Sequence, residues 1–254
     1  MQILTTLSDR KIKGIKSFAL LVDPDKIGDH GSFAKLVAQS QENKVDFCFV
    51  GGSLITTNNI GEIIKIIKDY SNIPVVLFPG SNMHIESSAD AILFLSLISG
   101  RNPELLIGQH VVAAPILKRL NLEVLPTGYI LVNSGNQTTV SYMSNTQPVP
   151  YDKPSVAACT AMAGEMLGLR LIYLDAGSGA RNPVSPKMIS RVNKSIKAPL
   201  IVGGGIDSKE KAQNILAAGA DVIVVGNGIE KNPDVLIDIS EKVNQVNESL
   251  NIHE

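Results

Sequence analysis

Residues 199–228, PLIVGGGIDSKEKAQNILAAGADVIVVGNG, contain one complete unit of the architecture. PLIVGG (199–204) is apolar at successive positions and closes on glycine, KEKAQNILAAG (209–219) has helical spacing, and DVIVVG (221–226) is again apolar and again closes on glycine. A short run without polar alternation fits a strand buried on both faces, and such strands joined by a helix are parallel. The same kind of run recurs toward the amino end at SFALLV (17–22), VDFCFV (45–50), VVLF (75–78), AILFLSLI (91–98), VLPTGYILV (124–132) and LRLIYLD (169–175). Helical spacing fills most of the intervals, in FAKLVAQSQ (33–41), IGEIIKIIKDY (60–70), PELLIGQHVVAAPILKRL (103–120), KPSVAACTAMAGEMLG (153–168) and PKMISRVNKSI (186–196), and PDVLIDISEKVNQVNESL (233–250) follows the last run. Eight buried strands with helical crossovers in 254 residues predict an α/β fold, a single (β/α)8 barrel domain over 1–254. An open doubly wound sheet is the alternative, and eight evenly spaced units weigh against it.

Two intervals break the pattern. Between VVLF and AILFL only PGSNMHIESSAD (79–90) is available, too short and polar for a crossover helix, so the ring of helices should have a gap between strands three and four. The segment NSGNQTTVSYMSNTQPVPYD (133–152) is an insertion after strand five, in which TTVSYM reads as a short extra strand.

Composition narrows the function classes. The chain carries 23 Lys+Arg against 24 Asp+Glu, for a formal net charge of -1, with no basic block, which argues against duplex nucleic acid as a partner. No window approaches the roughly 18 apolar residues of a spanning helix, and MQILTTLSDRKIKG has no signal-peptide core, so a cytoplasmic protein is expected. Cys48 and Cys159 stand in no metal or redox spacing and read as reduced, buried packing residues. Asp9, Arg10, Lys11 and Lys13 read as a solvated charged leader.

In such a barrel the active site lies at the carboxyl ends of the strands, so the polar residues that close each run carry the chemistry. Strand six ends in Tyr173-Leu174-Asp175-Ala176-Gly177-Ser178-Gly179-Ala180, and alternation puts Tyr173 and Asp175 on one face. Strand seven ends in Gly203-Gly204-Gly205 and strand eight in Gly226-Asn227-Gly228. Paired glycine turns at the seventh and eighth positions are where barrels hold phosphate on backbone N–H groups, so a phosphate-bearing small molecule is expected here. Asp23 and Asp25 close strand one and Ser53 closes strand two, oxygen donors suited to Mg²⁺, which keeps waters and takes few protein ligands beside substrate phosphates. His30, His84, His110 and His253 close no strand and read as surface or packing residues, and no lysine lies inside a strand, which disfavours Schiff-base chemistry.

Taken together, LLVDPDK (20–26), FVGGSLIT (49–56), VLFPGS (76–81), YLDAGSGA (173–180), IVGGGI (201–206) and ADVIVVGNGI (220–229) resemble the geranylgeranylglyceryl phosphate synthase family over nearly the whole chain and in the right order. The resemblance implies a modified TIM barrel without the third helix. It implies transfer of a prenyl group from a prenyl diphosphate to the 3-hydroxyl of sn-glycerol 1-phosphate, an early step of ether-lipid synthesis, with release of diphosphate and with Mg²⁺. By position it implies that Asp23 and Ser53 hold Mg²⁺, and that Tyr173, Leu174, Asp175, Ala176, Gly177, Ser178, Gly179, Gly204, Gly205, Gly226 and Asn227 hold glycerol 1-phosphate, with Asp175 and Tyr173 as catalytic residues. The acid after Tyr-Leu is often Glu in the family and is Asp175 here. The position two before Asp23, Lys in the heptaprenyl-transferring branch, is Leu21, so the chain resembles the geranylgeranyl branch with DPDK. The prenyl tail is expected at the missing helix, along Ile92 to Ile98, and a homo-oligomer is expected from the family. The competing readings are a thiamine-phosphate-synthase-like or isomerase barrel, and a phosphometabolite-binding barrel without catalysis.

Overall fold

A computed structural model describes residues 2–57 and 59–250; His253 lies outside them. The eight strands β1 (Ser17–Val22), β2 (Phe47–Gly52), β3 (Val75–Pro79), β4 (Ala91–Leu97), β5 (Glu123–Leu131), β6 (Leu171–Asp175), β7 (Leu200–Gly203) and β8 (Val222–Val225) close in sequential order into a parallel barrel, with β8 pairing back onto β1. Helix α1 (Ile3–Ile12) precedes β1, and α2 (His30–Glu42) and α3 (Ile60–Tyr70) follow β1 and β2. A π-helical turn, Glu104–Gly108, leads into α4 (Gln109–Leu117) after β4, and α5 (Thr139–Ser144) and α6 (Pro154–Met166) follow β5. The remaining helices are α7 (Pro186–Asn193), α8 (Lys209–Ala217), α9 (Asn227–Lys231) and α10 (Asp234–Leu250).

The unalternated strand sequences have a direct cause. Ala19, Phe47, Phe49, Val76, Leu93, Leu125, Leu171, Ile201 and Val224 fill the barrel, while their neighbours Leu20, Cys48, Val50, Leu77, Ile92, Ile172 and Val202 pack outward beneath the helices. Both sets are buried, so the runs are mainly apolar, and polar residues within them such as Ser17, Ser96 and Thr127 are each hydrogen-bonded. Between β3 and β4 the only helical turn among the described residues is the 3-10 segment Asn82–His84, as the short polar interval requires.

Three expectations need correction. TTVSYM is helical: it forms α5, where the backbone N–H of Thr138 donates to Ser141 Oγ at 3.1 Å and Asn145 ends the helix in the left-handed region at φ 49°. These end contacts outweigh the β-propensity of Thr, Val and Tyr. Cys159 is exposed, because α6 buries its Ala157–Ala158–Ala161 face and turns position 159 outward; Cys48 is buried, and burial pushes its thiol up to about 12.

The third concerns the charged leader: Asp9 and Lys13 are exposed, but Arg10 and Lys11 belong to a helix that plugs the amino end of the barrel. Helix α1 inserts Ile3 and Leu7 into the barrel core. Glu123 accepts the N–H groups of Ile3 and Leu4 at 2.6 and 2.9 Å, a carboxylate at a helix amino end. Arg10 pairs with Asp46, and Lys11 reaches the buried Asp221 at 2.7 Å.

Candidate active site

At the opposite end of the barrel, β6 carries Tyr173 and Asp175 on its inward face, beside Tyr129 of β5 and Gly203 of β7. Asp175 is buried; its Oδ2 accepts the Tyr129 hydroxyl at 2.5 Å and its Oδ1 accepts the Gly177 N–H at 2.8 Å. Burial pushes the carboxyl of Asp175 up, and the two hydrogen bonds offset this only in part. Burial and the nearby carboxylate push the Tyr129 and Tyr173 hydroxyls well up, so both remain protonated donors. Phe78 stacks on Tyr173 with ring centres 5.4 Å apart, and Tyr129 meets Tyr173 edge-on at 5.4 Å. This packing fixes the hydroxyls as rigid donors.

Two glycines permit this arrangement. A Cβ on Gly203 would stand 2.5 Å from the Tyr173 hydroxyl, and one on Gly204, whose φ is +84°, would stand 2.8 Å from Asp175 Oδ1. Any side chain at either position would displace the acid or the phenol. Among the described residues, nothing accepts from the backbone N–H groups of Gly204 or Gly205, which leaves them free for an anion. Asn227 opens α9 across from them and accepts from Ser178 Oγ at 3.2 Å.

These parts line a polar cleft of about 540 Å³. Asp23, Ser53, Tyr173, Asp175, Gly177, Ser178, Gly179, Gly204, Gly205, Gly226 and Asn227 all border it. Leu174 and Ala176 do not; both are fully buried in the layer beneath the helices, so their contribution is backbone only. Asp25 is also absent from the lining. Hydrogen bonds from Thr57 and Thr56 hold its carboxyl down to about 2, with Thr57 Oγ at 2.5 Å and the Thr56 N–H at 2.7 Å, so it braces the loop after β2 and is not a free metal donor.

The donor set at Asp23 fits Mg²⁺ of a particular kind. Asp23 Oδ1 accepts the Asp25 N–H at 3.2 Å, while Oδ2 accepts no hydrogen bond among the described residues and lies 3.6 Å from Lys26 Nζ. Among the described residues no group of three His, Cys, Asp or Glu side chains is gathered for a metal. One carboxylate and one hydroxyl are too few for an all-protein cage and match an ion completed by water and substrate phosphate.

A second cleft of about 190 Å³ opens where the ring lacks its helix. It is mainly apolar, lined by Ile85, Ile92, Leu93, Phe94, Leu95, Leu97 and Leu105, and Tyr129 forms part of its wall. His110 borders it edge-on to Phe94 at 4.4 Å, and its Nδ1 finds no partner among the described residues. Gly52, Ser53 and Phe78 border both clefts, so the apolar one runs into the polar one beside Asp23. Sequence reading did not select Tyr129, Phe78, Lys26 or Glu230. For the first two the only signal was strand alternation, which places Phe78 and Tyr129 on the same inward face as Tyr173.

Fold and site thus define a (β/α)8 barrel with a glycine-lined cleft at its mouth and an apolar groove in place of one helix. The PcrB family matches residues 10–244, and the chain belongs to that family. It is 59% identical to the geranylgeranylglyceryl phosphate synthase of Spirosoma linguale, over 97% of this chain and 99% of the relative. It superposes with a TM-score of 0.89 on the (S)-3-O-geranylgeranylglyceryl phosphate synthase of Thermoplasma acidophilum, solved in complex with its substrate sn-glycerol-1-phosphate, at 32% identity over 96% of this chain and 99% of the other. Thiamine phosphate pyrophosphorylase of Pyrococcus furiosus shares the fold alone, with a TM-score of 0.57 and 14% identity over 92% of this chain and 98% of the other. Among the described residues no helix is long and apolar enough to cross a membrane.

Proposed function

We propose that the protein is a prenyltransferase that joins the 3-hydroxyl of sn-glycerol 1-phosphate to C1 of geranylgeranyl diphosphate, forming an ether and releasing diphosphate. The observation that carries this reading is the meeting of the two clefts at Gly52, Ser53 and Phe78. A polar cleft with free backbone N–H groups suits the acceptor's phosphate, an apolar groove suits a prenyl tail, and the junction beside Asp23 is where the donor's diphosphate falls. Membership of the family and the likeness to a synthase holding glycerol phosphate support the same reading.

The chain's own residues then have these roles. The glycine turns at Gly204–Gly205 and Gly226, with Ser178 and Asn227, hold the acceptor phosphate and leave the glycerol hydroxyls directed toward Asp175 and Tyr173. Asp175 takes the proton of the 3-hydroxyl as its oxygen bonds to C1, and Tyr173 orients the alcohol. As the new C–O bond forms, the C1–O bond to diphosphate breaks and its electron pair leaves on diphosphate. Asp23 and Ser53 would hold Mg²⁺, which would supply positive charge to that leaving group. Positioning is the larger contribution, because an alcohol is a weak nucleophile competing with water.

The protein also forms homo-oligomers in this reading. Helices α4 and α6 follow neighbouring strands, and their outward positions are apolar: Ile107 just before α4, then Val111, Val112 and Ile116 on one, Val156 and Met166 on the other. Exposed apolar side chains on both helices call for a partner, and a second copy of the chain is the simplest one.

Incubation with radiolabelled sn-glycerol 1-phosphate, Mg²⁺ and geranylgeranyl or farnesyl diphosphate, followed by butanol extraction, tests the reaction. Extractable label is expected with the 1-phosphate and not the 3-phosphate, and EDTA should abolish it. No product from any prenyl donor would overturn the transferase.

A further inference from the structure

The cleft assigned to two anionic substrates is lined by acids. Asp23, Asp175, Asp207 and Glu230 border it, and among the described residues Lys26 is the one cation that does. Asp207 is paired outside with Lys211 at 2.8 Å, and Asp175 is buried and doubly hydrogen-bonded. That leaves Asp23 and Glu230, and Lys26 lies between them: its Nζ is 3.0 Å from Glu230 Oε2 and 3.6 Å from Asp23 Oδ2. Its shortest contact is to a neutral group, the Oδ1 of Asn227 at 2.7 Å. Ser178 Oγ donates to the same oxygen at 3.2 Å. An amide oxygen held by two donors fixes the other end of the amide, so Asn227 presents its Nδ2, a donor only, toward the glycine turn, 3.5 Å from where a Cβ on Gly179 would stand.

We infer that Lys26 is a positioning residue that makes the glycerol phosphate half of the site receptive to an anion. It holds Asn227 with the amide nitrogen facing the glycine turns, and it cancels Glu230, a carboxylate that would otherwise repel the phosphate. The Lys26–Glu230 pair has side chains 39% and 30% exposed, and pairs of this kind add little to folding, so its consequence falls on the ligand. The inference rests on the proposed acceptor and goes beyond it by naming the charge balance that sets acceptor affinity.

The test is a double-mutant cycle on the full chain with Lys26→Met, Glu230→Gln and the two combined. Titration calorimetry gives the affinity for sn-glycerol 1-phosphate, and steady-state kinetics give KM for both substrates. Lys26→Met should weaken glycerol phosphate by at least about tenfold, the size of one lost charge-assisted contact, with a smaller change in KM for the prenyl diphosphate. Adding Glu230→Gln should recover a large part of that loss, which a merely structural lysine would not allow. Affinity of Lys26→Met within about twofold of the unaltered protein, below the ~1.4 kcal/mol that a tenfold change represents, would overturn the inference, as would a double variant no better than the single one. If the unaltered protein binds no glycerol phosphate, the proposed function itself fails, and that outcome is read before any variant is made.

Discussion

Asp175 is held by the Tyr129 hydroxyl at 2.5 Å and by the Gly177 N–H at 2.8 Å, inside a wall of aromatic rings. Burial raises its pKa, and these two hydrogen bonds lower it. A general base works ionised, so activity should fall as the pH drops through that raised pKa, at a higher pH than for an ordinary aspartate. Tyr129→Phe removes one of the lowering contacts and should move the acidic limb of the kcat/KM profile upward, while Asp175→Asn should cost about 10²–10⁴ in kcat with glycerol phosphate binding kept. A limb that stays in place in Tyr129→Phe would remove Asp175 as the titrating group. Stability carries the same signature. Between the unfolded and folded pKa values the native state holds the proton more tightly, so stability should decrease as pH rises through that window, and Asp175→Asn should flatten the slope in urea unfolding. The pair Tyr173 and Asp175 was legible because alternation and a glycine-rich turn mark it. Tyr129 was not, because an inward tyrosine in GYIL reads as ordinary barrel filling until its partner across the register is known.

Among the elements, those with unbroken local signals were readable. The eight buried runs and the glycines that close them specify the strands, and the polar interval 79–90 specifies the missing helix. Helix α1 was not readable, since its apolar face is short, Ile3, Leu4 and Leu7, and its partners Asp46, Glu123 and Asp221 are scattered along the chain. Its depth of insertion makes it a stability element remote from the chemistry. Leu7→Ala should therefore cost about 2–5 kcal/mol in urea unfolding, in line with truncation of a buried leucine, and leave kcat/KM unchanged well below the unfolding transition. A large loss of activity without a loss of stability would mean that the plug communicates with the site.

For the whole molecule, the exposed apolar residues of α4 and of α6 and the paired clefts each make a separate demand. Val112, at 59% exposure on α4, and Val156, at 47% on α6, are exposed apolar residues, so Val112→Glu with Val156→Glu should shift the protein to a smaller species in sedimentation if these helices join copies of the chain. The two clefts impose a stricter condition, because among the described residues they share only Gly52, Ser53 and Phe78. A change deep in the apolar cleft should therefore alter the donor and leave the acceptor untouched. Leu95, half-buried in that wall, is the place to make it. Leu95→Trp fills the groove and should raise KM for geranylgeranyl diphosphate with a relative gain for shorter donors, while Leu95→Ala enlarges it and should favour longer ones. Glycerol phosphate affinity, measured by calorimetry, should be the same in both. Unchanged chain preference in both variants would move the tail elsewhere and leave the gap in the helical ring without a role, whereas parallel loss of both substrates would mean that the two clefts are one cooperative unit and not two sites meeting at a junction.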